Sequence, residues 1–339
     1  MDGVELRVPG DAPAAKKKGI SGSTVKIVAI ITMFIDHIGA VLLARELMVQ
    51  GIRELAASND AAKMIQWLTD HAALYYGYTA IRAIGRVGFP IFCFLLVEGF
   101  HRTRDVKKYA MRMALFALIS EIPFNLALTG KVMEFGYQNV YFTLFLGLFA
   151  LCAYDFFAKY RQSSPDSGLW MIPVVLGVVF TAMYGLIYVN TLVVIRASEN
   201  SLLILVVLCV IVSVCLGIYG RKRGIKRVQV VGADMTVLIL IMFLADFLRT
   251  DYGGIGVLTI TAIYVFRKNK KMAITAGCAV LTIMSIAEIT SFFALIPIAL
   301  YNGKRGLKMK YFFYVFYPAH LLLLYLIALL LGLGTVAAV

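Results

Sequence analysis

Apolar residues along this chain come in long blocks rather than in alternation. Charge-poor windows fall at roughly 24–44, 82–100, 109–129, 139–158, 169–189, 201–219, 229–248, 251–266, 272–289 and 311–331. Most approach the ~20 residues that a helix needs to cross a bilayer. Stretches such as Leu202 to Leu216 are apolar on every helical face, which a transmembrane β-strand, polar at alternate positions, is not. Backbone in lipid must satisfy its own hydrogen bonds, so helices are the predicted elements. The fold class is all-α: a polytopic integral membrane bundle of about ten or eleven transmembrane helices.

The first window follows Lys16, Lys17 and Lys18 but carries Asp36 and His37 and lacks a cleavage site, so it reads as a retained helix. Residues 45–81 are too mixed for a span and predict an amphipathic surface helix near Ala61 to Leu68. Residues 1–20 read as a disordered cytoplasmic N-terminus and 21–339 as a single polytopic domain.

Composition sharpens this picture. The chain is 61% apolar and 15% charged, where soluble domains run at about 45–50% and about 25%, which excludes an ordinary cytosolic enzyme. Its 33 Lys and Arg against 19 Asp and Glu give a net charge of +14. In a membrane chain that excess marks cytoplasmic loops rather than a nucleic-acid surface, and no nucleic-acid partner is expected. With the N-terminus in the cytoplasm of a multi-pass cell-membrane protein, the clusters at 102–108, 159–161, 221–227 and 267–271 all fall on the inner side. Lys304, Arg305, Lys308 and Lys310 join them only if the chain breaks near Glu288 to Ser291, which gives eleven crossings with a short tenth. With ten crossings, 290–301 is re-entrant.

Cys93, Cys152, Cys209, Cys215 and Cys278 lie within apolar runs, with no CxxC and no adjacent histidine, and read as buried fillers without disulfides. His37, His71, His101 and His320 are scattered without a ligand one helical turn away, so no metal site is expected.

Polar groups inside apolar windows are costly and therefore candidates for function. They fall in two layers. The outer one holds Asp36, His37, Arg86, Glu121, Asn125, Asn139, Thr143, Asp246, Asp251 and Tyr252, and the inner one Lys26, Glu98, His101, Arg102, Arg104, Lys108, Arg112, Lys304 and Arg305. A basic inner layer suits a polyanionic ligand; a histidine among carboxylates suits general base chemistry. The bland counterparts are a topology signal for the basic layer, a packing role for His37, and an i,i+4 ion pair for Glu98 and Arg102. Asp36 and His37 are about 100° apart around the helix, so His37 must find its partner elsewhere. Lys26 and His37 share nearly one face, with Cα atoms roughly 16 Å apart, and a ligand lying lengthwise spans both.

Several segments resemble the TraX family: Phe34-Ile35-Asp36-His37-Ile38-Gly39, Gly85-Arg86-Val87-Gly88-Phe89-Pro90-Ile91-Phe92, Leu96-Val97-Glu98-Gly99-Phe100, Glu121-Ile122-Pro123-Phe124-Asn125 and Asn139-Val140-Tyr141-Phe142-Thr143-Leu144. Asp251-Tyr252-Gly253-Gly254-Ile255-Gly256, Asn302-Gly303-Lys304-Arg305-Gly306 and Tyr317-Pro318-Ala319-His320 continue the likeness in order from about 24 to 325. That family is named for a conjugation protein that acetylates the N-terminal amine of pilin, with a distant kinship to family 3 membrane acyltransferases. Those enzymes share a basic residue ten positions before a helix-1 histidine, to which Lys26-x10-His37 is similar, and a Gly-Phe before a basic stretch, which Gly99-Phe100 resembles.

The resemblance implies a membrane N- or O-acyltransferase. The donor is acetyl-CoA or another acyl-CoA, and the acceptor a peptide, pilin-like amine or an envelope-glycan hydroxyl. His37 then serves as general base or acyl carrier. Glu121 or Asp36 assists proton transfer and Arg86 or Asn125 stabilises the oxyanion. Lys26, Arg102, Arg104, Lys108, Arg112, Lys304 and Arg305 hold the CoA phosphates, and His320, after Pro318, is a second-rank candidate. Residues 45–81 and about 165–228 carry none of the motifs, so the acceptor stays open. A proton-coupled transporter or flippase using the same layers, or a non-catalytic membrane partner, stands beside this reading.

Overall fold

In a computed structural model of the protein, residues 19–192, 201–308 and 310–338 are described. They form helices with no β-strand, only two isolated bridges, Ile20 with Tyr301 and Gln138 with Thr250. In chain order the helices are α1 (Gly22–Ile38), α2 (Ala44–Val49), α3 (Ile52–Ser58), α4 (Ala61–Asp70), α5 (Ala72–Gly85) and α6 (Gly88–Arg102). Then come α7 (Val106–Thr129), α8 (Val140–Ser163), α9 (Ile172–Leu192), α10 (Ser201–Arg223), α11 (Ile225–Phe247), α12 (Gly253–Val265), α13 (Lys270–Met284), α14 (Leu295–Leu300) and α15 (Lys310–Leu330).

Eight of the helical runs are long and apolar enough to cross a membrane, as in a multi-pass membrane protein. Three shorter segments, α12, α13 and the 3-10 helix Ile286–Ala294 continued by α14, lie in the chain between α11 and α15, each shorter than those eight runs. The 13 residues of α12 reach only ~20 Å, short of a ~30 Å hydrocarbon core. They are tolerated because α12 packs against α6, α8, α11 and α13, and irregular backbone is permitted in a membrane only where protein shields it.

After α13 the chain breaks at Ser285, in extended conformation with its Oγ accepting from the Ala287 N–H, rather than at Glu288 to Ser291. The chain resumes there as a tight helix, with Glu288 inside it. The second pass begins at Ala72, ten residues before its apolar window, because Arg82 is neutralised by Asp36 of α1. Helix α4 matches the amphipathic surface helix. The disorder expected for 1–20 lies outside the described residues up to 18, but Ile20 is tied down: its N–H donates to Leu300 O and its carbonyl accepts from Asn302 N. Of the cysteines, Cys93 and Cys278 are buried and Cys215 is exposed on α10, so only part of the set are core fillers.

The interior is held as membrane bundles are, by close packing at small residues. A Cβ at Gly232 of α11 would meet Val174 Cα at 2.5 Å, and one at Gly177 of α9 would meet Gly232 O at 2.7 Å. Both helices therefore approach backbone to backbone.

Three helix irregularities converge near mid-bundle. Just after His37 the backbone widens into a π-turn, Gly39–Leu43, a feature that recurs at functional sites. Pro90 lacks the N–H that would bond Arg86 O, so the second pass kinks between α5 and α6. Pro318 interrupts α15 in the same way two residues before His320.

Candidate functional site

At the end of the bundle that gathers Lys and Arg, a cavity of about 710 Å³ opens between α1, α6, α7, α8 and α15. Lys26, Arg102, Arg104, Arg112 and Arg305 line it, with one carboxylate, Glu98. Exposed Arg102, Arg104 and Arg305 lie toward its mouth, and buried Leu96, Met113, Tyr141 and Leu144 toward its floor. The loop after α14 builds part of this wall. Gly306 sits at φ 74, where a Cβ would also strike Ser21 and Ser23, so glycine alone fits. The loop then lays its carbonyls on the unsatisfied start of α1: Gly22 N donates to Lys304 O (2.7 Å) and Ser23 N to Arg305 O (3.0 Å). Arg305 is thereby held beside Lys26, whose ammonium lies 5.2 Å from the Phe313 ring centroid.

Arg102 pairs with Glu98 at 2.8 Å and donates to Gly303 O at 2.7 Å, so the i,i+4 pair and the chamber wall are the same residues. Arg112 leaves a buried Nε without a partner among the described residues, an unused donor that an anion would satisfy. Two of the seven expected anion-binding residues do not join them. Lys108 lies in the exposed first turn of α7, 3.4 Å from Asp105, and Lys304 offers its carbonyl to α1 while its side chain is solvent-exposed. The backbone N–H of Lys108 donates to Asp105, which caps α7 and whose carboxyl is held below the usual carboxylate range by that bond.

A second cavity, also about 710 Å³, opens at the other end between α5, α9, α11, α12 and the 3-10 segment. Arg82, Arg86, Asp246, Asp251 and Glu288 line it with Tyr137, Tyr184, Tyr188 and Tyr252. Arg86 Nε donates to Glu288 Oε1 at 3.0 Å, and Glu288, 1% exposed, keeps Oε2 unpartnered among the described residues. Arg82 holds Asp36 at 2.5 Å, leaving Asp36 Oδ1 unpartnered. Gly85 permits this pair, because a Cβ there would overlap the Asp36 carboxyl. Tyr137 donates to Asp251 at 2.7 Å and Tyr184 to Asp246 at 2.9 Å. Tyr252 adopts a left-handed backbone (φ 64) and stacks on Phe89 at 3.7 Å, a strained position of the kind that collects at functional sites. Asp246, Asp251 and Glu288 line this cavity with two guanidiniums, one of which, Arg82, is already paired with Asp36. Of these carboxylates Glu288 is buried, Asp251 half-buried and Asp246 exposed, a local excess of negative charge that favours a cationic guest.

His37 lines neither cavity. Its Nδ1 is 2.8 Å from His320 Nε2, and both rings pack edge-on against Tyr317, which in turn meets Tyr141 on the floor of the basic chamber. On the other side, Asp36, the residue before His37, holds Arg82 of the second chamber. The histidine pair therefore stands in the wall between the chambers. As helix geometry requires, Asp36 points to Arg82 and not to its neighbour.

Glu121 and Asn125 are placed elsewhere. Asn139 donates to Glu121 Oε2 at 2.5 Å and to Ala117 O at 2.8 Å while its Oδ1 caps α8 through Tyr141 N. Glu121 is therefore engaged in fixing the α7–α8 junction, Asn125 is buried one turn on, and neither lines a chamber. Glu288, Arg82 and Tyr137 are the site residues that sequence patterning did not single out. Glu288 falls where the spacing of basic clusters predicts a chain break, and an acid in an apolar run is the signal that marks it.

Two polar chambers at opposite ends of a helical membrane bundle, with a histidine pair between them, define a multi-pass membrane protein. The family described as TraX protein matches residues 21–196 and 180–328, and the chain belongs to that family. It is also 36% identical over 96 residues to the probable fimbrial assembly protein FimC, serogroup H1, of Dichelobacter nodosus, a match covering 24% of this chain and 39% of that relative. No solved structure matches it significantly.

Proposed function

We propose that the protein is a membrane acyltransferase that moves an acetyl or other short acyl group from a cytosolic acyl-CoA to a primary amine presented at the opposite face of the membrane. The observation that carries this reading is the pairing of a polycationic chamber with a carboxylate-rich one across His37. Five cations, an unused Arg112 donor and the aromatic walls of Tyr109, Tyr141, Tyr314 and Phe313 suit a ligand with several phosphates and an apolar arm. Its charge orients the molecule with this end in the cytoplasm.

An ammonium acceptor is drawn to Asp246, Asp251 and Glu288. The ammonium first releases one proton to water through the chamber carboxylates, and His37 takes a second proton from the resulting amine as its nitrogen attacks the thioester carbonyl. The N–C bond forms, the C–S bond breaks, and the proton passes to the departing thiolate. Arg82 or Arg86 offsets the charge on the carbonyl oxygen. The fimbrial assembly relative supports a peptide amine as acceptor over an envelope-glycan hydroxyl.

The test is binding of acetyl-CoA to the protein in lipid nanodiscs. Arg112→Gln and Lys26→Gln are each expected to weaken binding by about tenfold or more, as loss of one charge-assisted hydrogen bond does. Wild-type affinity in Arg112→Gln, or no binding to the parent protein, would overturn the donor site. A transport reading draws on the chain breaks at Tyr252–Gly253 and Ser285 beside the second chamber; it predicts ligand movement with the thioester intact.

A further inference from the structure

We infer that His320 is a positioning residue that fixes the tautomer of His37 and leaves His37 Nε2 as the bare, proton-accepting nitrogen. His320 Nδ1 lies 2.7 Å from the carbonyl of Phe316. A carbonyl only accepts, so Nδ1 of His320 carries its proton. The ring is 4% exposed, enclosed by Phe34, Phe316 and Tyr317, and neither it nor His37 has a carboxylate at ion-pair distance among the described residues. A second proton on His320 would bury an unpaired charge, so its Nε2 is an acceptor.

His37 Nδ1 faces that acceptor at 2.8 Å and must be the donor. With its one proton on Nδ1, neutral His37 keeps a lone pair on Nε2, which has no hydrogen-bond partner among the described residues. The chain Phe316 O, His320, His37 therefore transmits the direction of a single backbone carbonyl to the reactive nitrogen. A backbone carbonyl and a second imidazole do here what a carboxylate does for a catalytic histidine elsewhere. The local fold supplies the parts: the Pro318 kink in α15 lies beside His320, and the π-turn after His37 follows the other ring.

The tautomer follows from geometry alone; its catalytic consequence rests on the acyl-transfer reading above, and the two fail separately. The experiment is solid-state NMR of 15N-histidine-labelled protein in bilayers, with signals assigned by loss in His37→Asn and His320→Gln. In the parent protein both His37 and His320 are expected to carry the proton on Nδ1, with Nε2 bare. In His320→Gln the amide oxygen still accepts, and His37 keeps its tautomer. In His320→Leu the acceptor is gone and His37 shifts toward the Nε2–H form. Kinetically, His320→Leu is expected to lower kcat by about 100-fold with KM for the acyl donor unchanged, and His320→Gln to restore most of it. An Nε2–H or doubly protonated ring at His37 in the parent protein, or an unchanged His37 spectrum in His320→Leu, would overturn the inference. If the tautomers are as stated but no acyl transfer occurs under any condition, the inference stands and the proposed function falls.

Discussion

Replacing His37 with asparagine is expected to lower acyl transfer by about a thousandfold while leaving the fold and donor binding intact. A positioned general base contributes about 10²–10⁴ to a rate, and the asparagine amide retains a donor for His320 Nε2 while removing the basic nitrogen. Affinity for acetyl-CoA is expected to stay within about twofold of the parent protein, because His37 lies outside the basic chamber. Steady-state release of CoA thiol, measured beside equilibrium binding, separates the two quantities. Loss of binding together with turnover would instead make His37 part of the donor site.

The second large effect concerns stability, at a residue far from the chemistry. Arg45 is 0% exposed. Its guanidinium donates to Ala127 O (2.6 Å), Leu126 O (3.0 Å), Val41 O (3.1 Å) and Val336 O (2.7 Å). Leu126 and Ala127 lie in the last turn of α7; Leu126 O also accepts from the Gly130 N–H, whereas no other donor to Ala127 O is found among the described residues. One side chain thus fastens the end of the first pass, the end of α7 and the C-terminal tail. Arg45→Leu removes the donor to the Ala127 and Val336 carbonyls, each unpaired acceptor costing about 1–3 kcal/mol, so a total loss of about 2 kcal/mol or more is expected. Lysine does not rescue it, since an ammonium cannot span the fork of four carbonyls. Melting of the purified protein in detergent checks this; a transition within a degree or two of the parent would show that the tail and α7 hold without Arg45.

Arg45 also illustrates what the sequence does and does not disclose. Block hydrophobicity located every long pass, because lipid imposes length and composition on a spanning helix. It shows Arg45 only as the start of a mixed stretch and Arg161 only as part of a basic cluster, and discloses neither as a buried donor. Arg161 is 1% exposed, bonded to Gln229 at 2.7 Å and Asp166 at 2.6 Å. A charge just beyond an apolar window looks the same whether water or carbonyls receive it.

The site was legible to the extent that helical geometry governs it. The angle between Asp36 and His37 excluded their pairing, and the basic layer furnished the first chamber. His320 as the partner was not legible, since 283 residues separate it from His37. Glu121 drew notice as a polar residue in an apolar helix, yet the physical demand it meets is holding Asn139, the residue that caps α8. In the same way, Glu288 looked like a break because the spacing of basic clusters required one nearby; its pairing with Arg86 depends on the 3-10 turn after Ser285.

The central claim is transfer through the bundle, from a donor chamber at one end to an acceptor chamber at the other. Its most direct test uses sealed proteoliposomes of known protein orientation, with acetyl-CoA confined to one side and an impermeant peptide bearing a free N-terminal amine on the other. Acetylated peptide is expected only when the donor faces the Lys26 and Arg112 end and the peptide the Arg86 and Glu288 end. Product formed with both reactants on one side, or acetyl-CoA crossing unhydrolysed, would contradict the account.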